Sequence, residues 1–204
     1  AIYNGYAEDA IAAHRISHWK NPVGGFVHAL HEGRWGGMHY EITGFNQDKS
    51  LELNGGFQNN RASDMHAAYR FVENVFAELD APGEWYFDDE NGFLYFYPPT
   101  NVDINTATFE VSRLKHIIEI KGTSNQPVKH INIEGLTFAH TSQTFMLTTE
   151  PLLRSDWMVY RGGALLLDGT ENIQILANHF YDLGGNAIFV SNYNRKVNIA
   201  SNTI

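Results

Sequence analysis

The chain has 204 residues, 43% hydrophobic and 18% charged, which is the composition of a folded protein with one large domain or two small ones. Its 14 Lys and Arg against 23 Asp and Glu give a net charge of -9 with no basic run, which argues against a nucleic-acid partner. Cysteine is absent, so there is no disulfide framework, and no apolar run approaches the ~18–20 residues that span a bilayer as a helix.

The opening AIYNGYAEDAIAAHR carries neither an initiator Met nor a signal-peptide pattern, so the chain is read as a piece of something longer. Ala7, Ile11, Ala12, Ile16 and Trp19 fall near helical spacing and predict a helix from Ala7 to Trp19, broken by Pro22 and Gly24-Gly25. GFVHAL and MHYEITGF then alternate as strands do, on either side of the Gly-rich HEGRWGG. DMHAAYRFVENVFAEL predicts a short helix from Asp64 to Leu79, with Asp64 as cap and Ala68, Phe71, Val72, Val75, Phe76 and Leu79 on one face. EWYFDDENGFLYFYPP predicts a β-hairpin around Asp89-Glu90-Asn91-Gly92, with Trp85, Phe87, Leu94 and Phe96 on its buried face. Such a hairpin serves either as packing or as a carbohydrate platform.

From Thr106 onward helical periodicity disappears. ATFEVSR, HIIEIKG, HINIEGLTF, GALLLDG, NIQILANHF, NAIFVSN and VNIASNTI are short β-rich runs between Gly, Asn and Asp turns. They also repeat. Ile131 to Phe138, Ile173 to Phe180 and Val197 to Ile204 each place apolar residues first, third and eighth, and Ala164 aligns with Ala187. A period of about 22–25 residues built from three short strands and three corners is one turn of a β-solenoid. Asn178 and Asn202 occupy equivalent places, where stacked corner amides can satisfy backbone groups that have no ladder partner. The expected fold class is mainly β. A mixed, β-rich region with short helix and hairpin (residues 1–105) precedes an incomplete right-handed parallel β-helix (106–204). A loop at 141–162 interrupts the period, and long loops in compact repeats are commonly functional.

The strings ENVFAELDAPGEWYFDDENGFLYFYPP, GLTFAHT, LLRSDWMVYRGGALLL and FYDLGGNAIFVSNYNR resemble bacterial right-handed parallel β-helix repeat proteins, many of them carbohydrate-active enzymes that include glycoside hydrolases. The likeness runs from about His28 onward. It implies a carbohydrate substrate, a secreted, periplasmic or cell-surface setting, and further β-helix turns, which often hold catalytic residues. Those turns, or another subunit, are expected to cover the strand edge at Ile204.

Aligning the repeats sets His140 against Asp182, and the inserted loop brings Glu150, Arg154, Asp156, Trp157, Tyr160 and Arg161 to the same wall. A glycosidase commonly needs two carboxyl groups, about 5–5.5 Å apart for retention or ~6.5–9.5 Å for inversion. Asp182 and Asp156 are therefore the candidate catalytic pair. His140, Arg154, Trp157, Arg161, Asn186, Asn192, Tyr193 and Asn194 are the candidate substrate contacts. The structural alternatives are an Asx-type turn at Asp182, an ion pair of Arg154 with Asp156, Arg161 as a loop anchor, and a solvated corner at Asn192 to Arg195. His28, His31, His39 and Glu41 do not make a zinc site, because residues three apart on a strand face opposite sides. No cofactor is expected. Calcium, which a lyase alternative would bring, lacks a compact Asp-x-Asp-x-Asp loop. A non-catalytic carbohydrate-binding or adhesin module is the remaining alternative.

Overall fold

The computed structural model describes residues 8–57, 63–147 and 159–204, and among these the chain is mainly β. It divides into two compact units, Ala1–Thr108 with Thr149–Val159, and Phe109–Thr148 with Tyr160–Ile204.

The first unit holds a four-stranded antiparallel sheet of β1 (Phe26–His31), β2 (Gly37–Phe45), β3 (Leu51–Gly55) and β4 (Met65–Glu73), in the order β3-β2-β1-β4. One sheet face sends Val27, Ile42 and Leu51 into a core with Ile16, Trp19 and Val75. Burying each such side chain contributes roughly 1.5–3 kcal/mol. The hairpin β5 (Trp85–Asp88) and β6 (Phe93–Phe96) follows.

Three expectations are corrected here. Of the helix expected from Ala7 to Trp19, the described residues form a single turn, α1 (Ala13–Ile16); Asp9 accepts the Ile11 N–H and pairs with Arg70 ahead of it. The helix expected from Asp64 to Leu79 is strand β4 and then a 3-10 turn at Phe76–Glu78. β4 pairs with β1 from Phe26↔Glu73 to Ala29↔Arg70 and again at His31↔Met65 past an irregularity, and this cross-strand pairing outweighs a weak helical preference. In the hairpin, Trp85 pairs with Phe96 and Phe87 with Leu94 on one face as expected, but Trp85, Phe87 and Leu94 are exposed. On the opposite face Tyr86 and Tyr95 stand edge-on to Phe76 at 5.3 and 5.2 Å, and Phe93 and Tyr95 stay exposed there too.

The second unit contains β7 (Ile118–Lys121), β8 (Val128–Lys129), β9 (Asn132–Glu134), β10 (Thr137–Thr141), β11 (Leu165–Leu176), β12 (His179–Leu183) and β13 (Ile188–Ala200). All of its pairings are parallel. β11 runs beside β7, β8 and β9 on one side and β13 on the other, while β10 pairs with β12. The register matches the sequence alignment: Ile133, Ile175 and Ile199 lie in one row, as do Phe138 and Phe180. Inward residues of neighbouring strands form the core, with Leu165, Leu167, Ile173, Ile175 and Phe180 buried and the Phe138 and Phe180 rings stacked at 5.0 Å. The run ATFEVSR is not a strand, and its Phe109 and Val111 side chains are exposed.

Single residues with positive φ bend the strands at matching places: Gly135, Ala177 and Ser201 in one row, His130, Asn172 and Lys196 in a second, His140 and Asp182 in a third. Asn178 closes the first of these bends. Its Nδ2 donates to Ile133 O at 2.9 Å and to Asn202 Oδ1 at 3.0 Å, and its Oδ1 accepts the Leu136 N–H at 3.0 Å. Asn202 repeats the bond at the equivalent place beside it, donating to Ile175 O at 2.9 Å.

Candidate functional site

The row that holds His140 and Asp182 lies at the C-terminal parts of β10 and β12. The flanking pairs Ala139↔Tyr181 and Thr141↔Leu183 put these two residues opposite each other, about 4.8 Å apart along the stack. Both take a left-handed backbone, with φ of 60° and 48°, which carries their side chains off the regular alternation of the strand. His140 Nε2 stands 3.2 Å from Glu110 Oε2, and its ring meets Tyr181 edge-on at 5.6 Å. Tyr181 also packs against His179 at 5.4 Å. Asp182 is exposed and makes no side-chain hydrogen bond among the described residues. Its carboxylate therefore stays open to a ligand, and the Asx-type turn considered from sequence is not formed by its side chain.

Glu110 is the residue that sequence reasoning missed. It lies in ATFEVSR, read as a strand, and only the turn of the chain back toward β10 brings it to His140. Asp156, Arg154, Trp157 and Glu150 lie outside the described residues.

The other expected contacts fall into two groups. Arg161 donates from Nη2 to Ser191 Oγ at 2.9 Å and lies over the Phe189 ring at 5.7 Å, which ties the segment after the insertion to β13. Asn186 donates to the carbonyls of Tyr160 and Gly162 at 2.9 and 2.8 Å, and Asn194 accepts the Thr170 N–H at 3.2 Å and its hydroxyl at 2.7 Å. These amides hold backbone. Asn192 and Tyr193 instead bond to outward carboxylates, Asn192 to Asp168 at 2.9 Å and Tyr193 to Glu171 at 2.5 Å. Lys129 lies 2.8 Å from Glu171, and this bond, helped by Tyr193, holds the Glu171 carboxyl below the usual range. Just before β7, His116 Nδ1 donates to Gly163 O at 2.8 Å and its Nε2 lies 3.0 Å from the Tyr160 hydroxyl.

In the first unit, β1, β2 and β4 line up His39, His28 and Glu73. His28 Nε2 is 2.9 Å from Glu73 Oε2, and its Nδ1 is 2.7 Å from His39 Nδ1. Burial, with His28 adding to it and Glu73 opposing, pushes the His39 imidazole down to about 4, so His39 is neutral at pH 7. Of the two facing Nδ1 atoms one donates and the other accepts, so the bond couples the two rings and the Glu73 carboxylate in one chain. His31 takes no part and stacks on Trp35 at 5.9 Å. Among the described residues, no three His, Asp or Glu side chains converge to hold a metal ion.

No family model matches the chain, and no curated protein does. A solved structure named "Glycoside hydrolase" is similar in fold, with a TM-score of 0.62 and 20% sequence identity, covering 83% of this chain. The chain spans 35% of that protein's length.

Proposed function

We propose that the chain is part of a glycoside hydrolase and that the parallel strands of its second unit are turns of a right-handed parallel β-helix. The observation that carries this reading is the fold likeness to a protein of that name over 83% of the chain. Proteins of one fold carry many activities, so the chemistry must rest on the residues themselves. Asp182 is the acid or base: an open carboxyl group on a rigid parallel sheet, beside an imidazole and a tyrosine. The second carboxylate comes from Glu110, held at His140. One carboxylic acid gives its proton to the glycosidic oxygen as the bond to the anomeric carbon breaks. The other carboxylate either takes a proton from the attacking water or attacks the anomeric carbon itself. Asn192, Tyr193 and Arg161 present amide, hydroxyl and guanidinium groups suited to sugar hydroxyls. On this reading the protein works on polysaccharide outside the cytoplasm, secreted or periplasmic.

The test is release of reducing ends from a panel of neutral and acidic polysaccharides, with Asp182→Asn beside the parent chain. The expected result is cleavage by the parent and a loss of about 10²–10⁴ in rate for the variant. Equal rates would remove Asp182 from the chemistry. Products that absorb as unsaturated uronates would show β-elimination in place of hydrolysis.

A further inference from the structure

The first unit contains a cleft that the hydrolytic row does not use. It has a volume of about 790 Å³ and is bounded by the segment around Trp19, the facing residues Phe26 and Glu41, the turn at Phe76, and the hairpin β5-β6. That size lies within the range of about 300–1,000 Å³ typical of small-molecule sites.

Three rings form one side. Phe76 meets Tyr86 and Tyr95 edge-on at 69° and 72°, all three line the cleft, and Phe76 and Tyr95 are 51% and 40% exposed. The core does not need this exposure, because the neighbouring Val75 already fills that role at 5% exposed. The charged lining is mostly acidic, with Glu41, Asp88, Asp89 and Glu90 against Lys20, and His18 beside them. Glu41 is half-buried, and neither it nor Asp89 nor Glu90 makes a side-chain hydrogen bond among the described residues. Glu41 therefore presents a half-buried acceptor with no donor among the described residues, a cost that a ligand hydroxyl would offset.

The frame is held in place. Asn74 Oδ1 accepts the Phe87 N–H at 3.1 Å, tying β5 to the end of β4. Glu78 bonds to Arg15 and, at 2.7 Å, to Trp19 Nε1, fixing the 3-10 turn that carries Phe76. Asp88 accepts from the Asn91 N–H at 3.1 Å and its amide at 2.9 Å, setting the hairpin tip. A preformed cleft loses less entropy on binding.

We infer that this cleft binds an uncharged oligosaccharide, its pyranose faces against Phe76, Tyr86 and Tyr95 and its hydroxyls donating to Glu41, Asp89 and Glu90. Aromatic faces take the apolar C–H side of a sugar ring, and carboxylates accept two hydroxyls at once. The excess of acids over bases excludes uronates, phosphates and sulfated glycans. The inference rests on the carbohydrate reading above but makes a separate claim, binding at a second place.

Calorimetric titration of the whole chain tests it. The probes are neutral hexasaccharides of the cellulose, xylan, mannan and chitin series, with hexagalacturonate as the anionic control and hexalysine as the cationic one. At least one neutral hexasaccharide is expected to bind with a Kd below about 1 mM, and Tyr95→Ala and Glu41→Gln to weaken it by about tenfold. Asp182→Asn is expected to leave that Kd within about twofold. Glu41→Gln keeps size and shape, so it reports even where Tyr95→Ala fails to fold. Overturning results are no binding of any neutral probe, binding of hexalysine or hexagalacturonate that responds to Glu41→Gln, or neutral binding that changes with Asp182 and not with the cleft. Cleavage without cleft binding sinks this inference and spares the hydrolase reading. Cleft binding without cleavage does the reverse.

Discussion

Asn178→Ala is the most direct probe of what holds the parallel stack together. Asn178 is 2% exposed, and its side chain serves three partners. Truncation removes the donor to the carbonyl of Ile133, a residue 5% exposed, and an unsatisfied buried acceptor costs about 1–3 kcal/mol. It also strips the Leu136 N–H, but Leu136 is 49% exposed and water takes part of that load, so about 1 kcal/mol is a fair value. Asn202 Oδ1 keeps the backbone N–H of Asn178 at 2.9 Å and loses little. The sum is about 2–4 kcal/mol, a large share of a marginal folding free energy. Urea unfolding followed by circular dichroism reads it as a lower midpoint at unchanged slope. Asn178→Asp adds a sign test. It replaces the amide donor by an acceptor facing Ile133 O, so it is destabilised at pH 7. Its buried carboxyl titrates above the unfolded value of about 3.9, and the variant regains stability as pH falls through that raised pKa. A loss under about 0.5 kcal/mol for Asn178→Ala would refute the reasoning, because it would mean that corner amides do not carry the bends.

Other consequences follow from the same physics. A Cβ on Gly184 would stand 2.4 Å from Gln143 N and 2.5 Å from Ser142 C, which are backbone atoms that cannot swing away, so Gly184→Ala should lower the melting temperature by several degrees; an unchanged melt would contradict that close approach. Phe180→Ala removes half of the Phe138 stack at 5.0 Å and should cost about 3–5 kcal/mol in urea unfolding, whereas Tyr181→Ala on the exposed face should cost far less. His39 is held neutral, with a folded pKa of about 4 against 6.5, so the unfolded chain binds more protons between these values and stability declines as pH drops through that window. His39→Gln should flatten this part of the stability–pH curve. The loss at lower pH remains in that variant, because the bond to Arg70 holds the Asp9 carboxyl low and its stability is lost only as pH falls through that lowered pKa.

Much of the second unit is legible in the chain because its rows repeat. Ile131, Ile173 and Val197 announce a common register, and Asn178 with Asn202 announces the corner; the parallel pairings then follow that register. The first unit is less legible. MHAAYRFVE satisfies helical and strand spacing about equally, and the ladder along β1 decides it. The face of the hairpin is likewise open in sequence, since both faces are aromatic and only the position of Phe76 selects Tyr86 and Tyr95.

The candidate row divides in the same way. His140 and Asp182 share a row because both follow an aligned Phe by two residues, a relation that the linear chain already contains. Glu110 joins them through a segment without repeat or ladder, so nothing in its local sequence marks it. By itself the sequence determined the repeat, the strand character and the corner amides, because these depend on periodic patterns and short-range chemistry. Tertiary structure alone decided which strand face is covered, that His28 links His39 to Glu73, and that Glu41 lines an aromatic cleft. Those outcomes depend on which distant segments meet, and burial and electrostatics act on the meeting rather than on the order of residues.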